Sequence, residues 1–261
     1  MNYFTKPLFI AVSMCIFTAL MPSLHAQDVG VKINLGWAQM PVQAGGYFLQ
    51  YIDDSPSRDN LTTSRRLQAQ SGSFNMYMAL SMLADEGFLD IGMLIMAGQA
   101  NFTAVDIGLG LYLLNSLGVD VPNLQAGAKL HLGAGRKSVY MGDLLNNAQY
   151  IQINGQRFYQ DYLSVYLRSE EFTARPGLFA QYRLFDKMSL NLEIDYHLRM
   201  FGFAPRLVFT ADETANGDPV RATERFDDPN VSLFTTNRGN LEKLPLKING
   251  LQARIGVVII L

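Results

Sequence analysis

Hydrophobic residues alternate with polar or small residues along most of the chain after position 27. In the segment 28–37, Val29, Val31 and Ile33 point one way. Gly30 and Lys32, which lie between them, point the other way. A period of two is typical of a β-strand with one apolar face. Eight segments share this pattern: 28–37, 73–82, 88–95, 105–113, 123–133, 178–184, 189–200 and 250–261.

The connections between these segments differ in length according to the end at which they lie. At one end the connections are short: 84–87, 115–122 and 185–187. At the other end, where the short link 98–101 is the exception, three are long: 38–72, 134–176 and 202–249. Outer-membrane barrels have short inner turns and long outer loops, and their strands cross the bilayer in roughly 9–11 residues. The pattern therefore predicts an all-β fold, an eight-stranded antiparallel up-and-down transmembrane β-barrel with long outer loops.

The second long connection is rich in aromatic residues, which favour strands. They are Tyr140, Tyr150, Phe158, Tyr159, Tyr162 and Tyr166. We expect this connection to extend the neighbouring strands beyond the membrane. A contact surface for a partner is the alternative interpretation.

The first 26 residues have the pattern of a secretory signal. Lys6 precedes the apolar run 8–21, and Ala26 supplies a small residue at the break. The run is shorter than the roughly 20 residues that a spanning helix needs. We predict a cleaved signal peptide over 1–26, an outer-membrane barrel domain over 27–261 and export to the outer membrane. The chain's single cysteine, Cys15, lies in the signal, so the mature chain has no thiol chemistry.

Composition narrows the possible functions. Charged residues make up only 17% of the chain, against about 25% in an average soluble domain. The formal net charge is −2, which provides no basic surplus to neutralise nucleic-acid phosphates. After the signal, no apolar run is long enough for a transmembrane helix. We therefore expect neither a nucleic-acid partner nor a helical membrane bundle.

The two faces of the segments differ in a way that indicates which one lines the lumen. The polar face is rich in glycine, which suits the tight interior of an eight-stranded barrel. It also carries the charges, in equal numbers of cations and anions, whereas the apolar face carries none. A buried charge left alone costs several kcal/mol, so we expect these charges to pair. The predicted lumen network consists of Lys32, Asp90, Asp106, Lys129, His131, Arg183, Glu193, Asp195, His197, Arg199 and Arg254.

The combination of a signal segment, eight such strands, three long loops and a final strand at 250–261 resembles one known family. It is similar to the small outer-membrane β-barrel proteins of Gram-negative bacteria, eight-stranded porin-like barrels of the OmpA or OmpX type. The resemblance implies a non-enzymatic role in the cell envelope: structural, adhesive, or as a component of an envelope or secretion assembly. The implied partners are outer-membrane lipid and lipopolysaccharide, with an envelope protein at the outer loops.

Two other functions remain open at this stage. A soluble periplasmic, lipocalin-like barrel would place the apolar face inside, around an apolar ligand. A lipid A acyltransferase or deacylase would need a base near the outer leaflet, where His197 and Arg199 are expected. However, Ser189 and Glu193 are about 13 Å apart along one strand, so they cannot form a triad with His197. We expect no catalytic residues, no cofactor and no metal site.

Overall fold

A computed structural model of the chain describes residues 28–41, 45–67, 70–119, 121–211, 220–235 and 249–261. The predicted signal segment 1–26 lies outside these residues, and its cleavage stays a prediction. Within the described ranges, no helix has the length and apolar character needed to cross a membrane.

The described chain consists almost entirely of β-strands. In chain order they are β1 (Asp28–Pro41), β2 (Gly45–Ile52), β3 (Asn60–Leu67), β4 (Gln70–Leu83), β5 (Gly87–Ala97), β6 (Ala100–Tyr112), β7 (Leu124–Leu145), β8 (Ile151–Ile153), β9 (Gln156–Phe158), β10 (Tyr162–Phe185), β11 (Met188–Gly202), β12 (Arg206–Ala211), β13 (Val220–Arg225), β14 (Val231–Thr235) and β15 (Gly250–Ile260). One short helix, α1 (Leu113–Ser116), follows β6. The fourth predicted segment therefore ends at Tyr112 and not at Leu113.

A large antiparallel sheet closes on itself as a ring of eight strands. The ring runs through β1, β4, β5, β6, β7, β10, β11 and β15. Each of these corresponds to one of the eight predicted segments, and no segment extends more than one residue beyond its strand. The last strand, β15, pairs with β11 on one side and with β1 on the other. Closure satisfies the backbone groups that an open sheet would leave at its edges. The prediction of an all-β, antiparallel barrel is confirmed.

The three long connections contain further strands, which corrects their description as loops. The first holds β2 and β3, and the third holds β12, β13 and β14. In the second, β7 continues to Leu145 and β10 begins at Tyr162, so the predicted extension of the strands is confirmed. Between them, Asn154 and Gly155 turn the hairpin β8–β9 with positive φ angles of 47° and 77°. An Asn-Gly pair favours this kind of two-residue turn, and the sequence interpretation missed it.

We call the end of the ring with the short turns the lower end. The crown is the part beyond the upper end: β2, β3, β8, β9, β12, β13, β14 and the ends of β7 and β10, 138–145 and 162–168. In the crown an apolar core fills the interior, with members such as Leu49, Tyr51, Leu163, Val165 and Phe209. At the lower end, a smaller apolar floor closes the ring: Leu83, Phe88, Tyr112, Phe179 and Val258.

β10 exchanges its polar and apolar faces part way along its length. In its lower part, Leu178 points outward and is 64% exposed, whereas Arg175 points inward and is buried. In its upper part, Val165 points inward and is buried, whereas Arg168 points outward. The same strand therefore passes through two environments with opposite polarity.

Candidate functional site: the ionic layer inside the barrel

A layer of charged side chains fills the interior between the floor and the upper core. We call it the ionic layer, and its members are Lys32, Asp90, Asp106, Lys129, Arg175, Glu193, Asp195 and Arg254. All eight are buried, and they come from β1, β5, β6, β7, β10, β11 and β15. Each lies at an inward position of the period-two pattern, because successive side chains of a strand point to opposite faces.

Glu193 is the centre of the ionic layer. Its Oε1 lies 3.5 Å from the Lys32 ammonium, and its Oε2 lies 3.0 Å from the Arg254 guanidinium. Lys129 also donates to Oε2. The amide of Asn191 donates to Oε1 at 3.0 Å. One carboxylate thus links three cations from three different strands of the ring.

The remaining acids of this central group complete the pairing. Asp90 accepts from Lys32 at 2.7 Å and from the hydroxyl of Ser81. Asp195 lies 3.0 Å from Lys129 and also accepts from Arg254. Each buried charge therefore has an opposite charge in contact, which offsets much of the cost of removing it from water.

A glycine between two strands allows one of these ion pairs to form. Gly177 on β10 lies between Lys129 on β7 and Asp195 on β11 in the same cross-strand row. A Cβ atom at this position would lie 2.5 Å from Cβ of Asp195. Because Gly177 has no side chain, Lys129 and Asp195 meet across β10. The glycine-rich inner face therefore makes room for pairs between second-neighbour strands.

Asp106 organises the other side of the layer. It accepts from the Arg175 guanidinium and, at 3.1 Å, from the hydroxyl of Tyr77. Nδ1 of His131 lies 3.4 Å from the same carboxylate. The guanidinium groups of Arg175 and Arg254 lie 5.3 and 5.2 Å from the centre of the Tyr77 ring, within cation–π distance. Tyr77 thus joins the two halves of the layer.

A second cluster lies higher in the ring, around Glu171. Its carboxylate is 3.2 Å from the Lys137 ammonium and 3.5 Å from the Arg199 guanidinium. Nε2 of His197 lies 3.9 Å from the same side chain, and the His197 ring packs edge-on against Phe102. Both histidines of the described chain, His131 and His197, are therefore buried inside the ring.

Of the residues that were predicted for the lumen network, nine are buried inside the ring: Lys32, Asp90, Asp106, Lys129, His131, Glu193, Asp195, His197 and Arg254. Arg199 pairs with Glu171, although 27% of its side chain is exposed. The prediction for Arg183 is wrong. It lies beyond Phe179 of the floor, at the lower rim in a cleft shared with Asp28 and Asp85. There an inward-pointing position meets solvent, so Arg183 is exposed.

The sequence interpretation missed three charged residues of the interior: Lys137, Glu171 and Arg175. They belong to parts of β7 and β10 that the pattern assigns to a long connection. On β10, the signal that finds Glu171 and Arg175 is the alternation that continues from Gly177 back through Thr173. On β7, the inward positions continue through Gly133 and Gly135 to Lys137. With these residues, the described strands of the ring bury five cations and five carboxylates: Lys32, Lys129, Lys137, Arg175, Arg254, and Asp90, Asp106, Glu171, Glu193, Asp195. The interior is balanced in charge.

The ionic layer and the cluster around Glu171 link the strands of the ring and fill its interior. Apolar residues cover it from above and below. In the part of the chain that the structure describes, no group of three or more His, Cys, Asp or Glu side chains is placed to hold a metal ion.

Comparisons with solved structures found matches at low sequence identity. No protein-family model matches the chain, and no curated protein matches it. A major outer membrane protein from Thermus thermophilus is 8% identical, with 89% of this chain and 99% of that chain covered and a TM-score of 0.40. The outer membrane protease OmpT from Escherichia coli is 11% identical, with 92% and 98% covered and a TM-score of 0.29. The translocator domain of the autotransporter NalP from Neisseria meningitidis is 10% identical, with 98% and 96% covered and a TM-score of 0.23.

Proposed function

We propose that this protein is a non-enzymatic outer-membrane β-barrel whose lumen is filled by paired side chains. In this proposal the eight ring strands cross the membrane and the crown stands outside the cell. The role is structural or adhesive, or that of a component of an envelope or secretion assembly. The observation that carries the proposal is the reversal of polarity along β7 and β10.

The reversal has a simple physical explanation in a membrane. Below it, Leu130 and Leu178 point outward while Lys129 and Arg175 are buried. Such an inside-out arrangement is favourable only where the surroundings are as apolar as lipid. Above it, the apolar side chains face inward, as in a protein surrounded by water. The boundary between lipid and water would then lie at the level of Phe172.

The height of the outward apolar band fits a bilayer. On β11, outward residues from Leu190 to Met200 are apolar or aromatic. These positions span about 33 Å along the strand, and a tilt of about 40° reduces this to about 25 Å. A band of this height surrounds the outer surface of known membrane barrels. A soluble protein rarely exposes an apolar patch of this extent.

The composition of the interior disfavours a soluble barrel that holds an apolar ligand. Such a ligand would have to replace paired charges, including Glu193 and Lys129, with hydrocarbon. The interior also favours a closed barrel over a diffusion pore, because side chains fill it from the floor to the crown. His131 and His197, the bases that a lipid-modifying enzyme would need, point away from the outer surface.

Fractionation of cells that produce the full-length chain tests the membrane location. We expect the protein to stay with the membranes after a carbonate wash. We also expect it to migrate faster on a denaturing gel before heating than after, as a closed barrel does. Recovery in the soluble fraction would overturn the proposal.

A substitution at a lipid-facing position provides a sharper test. Leu192→Arg would place a charge in the middle of the apolar band, which costs about 2–4 kcal/mol in a bilayer. In a water-soluble barrel the same exposed position would tolerate arginine. The matched control is Leu145→Arg, since Leu145 is exposed to a similar extent but lies in the crown. We expect only Leu192→Arg to reduce the folded fraction in lipid vesicles.

The enzymatic alternative has its own test. Purified, folded protein is incubated with lipopolysaccharide, and released fatty acids are measured. We expect no release of fatty acids above the level of a heat-denatured control. Release that depends on His197 would replace the structural role with an enzymatic one.

A further inference from the structure

Two adjoining clefts lie on the outer surface, directly above the apolar band. The larger, of about 710 Å³, is bounded by β6, β7 and β10, with Phe203 and Arg221 at its edge. The smaller, of about 410 Å³, shares Arg136 and Arg168 with it and adds Arg206. Together we call them the arginine cleft. Four arginines line it: Arg136, Arg168, Arg206 and Arg221.

The strand register places like charges opposite one another in this cleft. Arg168 on β10 pairs in register with Arg206 on β12, which pairs in turn with Arg225 on β13. Like charges at opposite positions of an antiparallel pair repel each other and destabilise the sheet. Burial, together with the nearby Arg221 and Arg136, lowers the pKa of Arg168 below its ordinary value. The cleft therefore has the charge of an anion site.

The acidic residues nearby neutralise only part of this charge. Asp227 forms a two-point pair with Arg225, at 2.7 and 2.9 Å. Glu170 pairs with Arg136 at 3.2 Å, but both side chains are about 60% exposed, so the pair is weak. Within the described ranges, no carboxylate pairs with Arg168, Arg206 or Arg221. Nε of Arg168 is buried without a hydrogen-bond partner.

An apolar surface lies directly below the cationic one. Val105, which also lines the larger cleft, is 63% exposed. Beside it, the Phe172 ring stacks on Phe201 with their centres 4.6 Å apart. The Phe203 ring lies 6.3 Å from that of Phe172. The site thus joins cationic groups above to exposed apolar groups below, in the order in which a lipid joins its head group to its acyl chains.

We infer that the arginine cleft binds the phosphorylated head group of an outer-leaflet lipid, such as the lipid A part of lipopolysaccharide. Its phosphate oxygens accept hydrogen bonds from Arg168, Arg206 and Arg221, since guanidinium groups match phosphate geometry. Its acyl chains lie along Val105 and Phe172. The inference rests on the proposed outer-membrane location, which alone brings the cleft to the level of the lipid head groups.

The test uses the full-length protein, folded in a non-ionic detergent, and three probes. These are bisphosphorylated lipid A, the same lipid without its phosphates, and inorganic phosphate. Binding is measured by native mass spectrometry and by competition. We expect bisphosphorylated lipid A to bind, and the variant Arg168→Gln/Arg206→Gln to bind it at least about tenfold more weakly. The matched control is Arg183→Gln, an exposed cation at the opposite end of the barrel.

Several results would overturn the inference. One is equal binding of bisphosphorylated lipid A by the double variant and by the Arg183→Gln control. Another is equal binding of the lipid without phosphates, which would indicate a purely apolar contact. A third is competition by inorganic phosphate at the concentration at which lipid A binds, which would indicate a site for the free ion.

The same samples separate this inference from the proposed function. Heat-dependent migration and vesicle insertion report whether the chain forms a membrane barrel. A chain that inserts but fails to bind phosphorylated lipid overturns the inference and leaves the barrel proposal standing. A chain that does not insert overturns both.

Discussion

The ionic layer and the core of the crown are two interiors built from the same strands with opposite chemistry. β7 contributes Lys129 to the first and Val139 to the second, and β10 contributes Arg175 and Val165 in the same way. In the crown, removal of apolar surface from water stabilises the interior. In the proposed membrane section the apolar side chains contact lipid on the outside. Removal of apolar surface from water therefore does not stabilise the lumen.

This difference implies different responses to substitution. A buried ion pair contributes little net stability, but the loss of one partner leaves an uncompensated charge and is costly. An apolar core loses stability in proportion to the removed volume, and the neighbours relax into part of the space. The ionic layer should therefore be intolerant of single changes and more tolerant of changes that keep its charge balance. The crown should show graded, local losses.

The largest effect should follow the loss of Glu193. Glu193→Ala leaves Lys32, Lys129 and Arg254 with one carboxylate fewer, and we expect a loss of about 3–5 kcal/mol. The folded fraction is measured by heat-dependent migration after refolding in detergent at increasing urea. The double variant Lys129→Met/Glu193→Gln keeps the balance of charges and should recover part of the loss. If Glu193→Ala had the same urea midpoint as the native protein, the ionic layer would not be what stabilises the ring.

A large apolar truncation in the crown should have a similar but local cost. Phe209 is fully buried, and its ring lies 4.9 Å from that of Tyr51. Phe209→Ala should cost about 3–5 kcal/mol, mainly in the stability of the crown. We expect normal heat-dependent migration of the barrel but faster proteolysis of the crown.

The control for that experiment is Phe48→Ala, which removes a half-exposed ring from the same region. Its proteolysis should stay close to that of the native protein. If Phe209→Ala abolishes the barrel along with the crown, the two interiors form one cooperative unit and the loss of stability is not local to the crown.

A smaller effect is expected at Gly177, where the ionic layer depends on a missing side chain. Gly177→Ala would bring a methyl group against Cβ of Asp195 and the carbonyl of Ile194, with a cost of about 1–3 kcal/mol. Gly177→Val should cost more, because its larger side chain also separates Lys129 from Asp195. Both are measured as shifts in the urea midpoint. Equal midpoints for the glycine, alanine and valine forms would show that the pair does not need this gap.

The smallest effect should be a pH dependence confined to the crown. Burial raises the pKa of the Glu224 carboxyl, and the nearby Asp228 and Asp54 add to the rise. The folded crown then holds this proton more tightly than the unfolded chain. Its stability therefore falls as pH rises from the ordinary carboxyl pKa through the raised one.

Glu224→Gln removes this loss, so it should raise the thermal midpoint at pH 7.5 by at most about 2 °C and leave it unchanged at pH 3.5. Asp227→Asn serves as the control of opposite sign. The hydrogen bond from Arg225 lowers the pKa of Asp227, so its removal should reduce stability at neutral pH. Identical changes in the thermal midpoint for Glu224→Gln and Asp227→Asn would contradict the opposite directions of the two pKa shifts.

Much of the fold could be predicted because it depends on a local pattern. Each ring strand carries its alternation in its own residues, so the strands and their faces could be identified without the structure. The crown was harder to identify. There the inward side chains are apolar and the outward ones polar, as at Leu163 and Arg168, which is the reverse of the ring. Because this reversed alternation does not continue the pattern of the ring strands, the sequence interpretation assigned it to a loop. Arg183 shows the opposite error, since the alternation places it on the inward face but it lies beyond the floor that closes the lumen.

The alternation along each ring strand is enough to specify which side chains face inward, because neighbouring residues of a strand must point to opposite faces. The balance of five buried cations and five buried carboxylates became evident only when Lys137, Glu171 and Arg175 were found in the structure. The three-dimensional arrangement alone specifies which charges meet, that Gly177 lets Lys129 reach Asp195, and that four arginines line one cleft at the upper edge of the apolar band. Those contacts depend on the register between strands that are far apart in the chain, and no local pattern specifies that register.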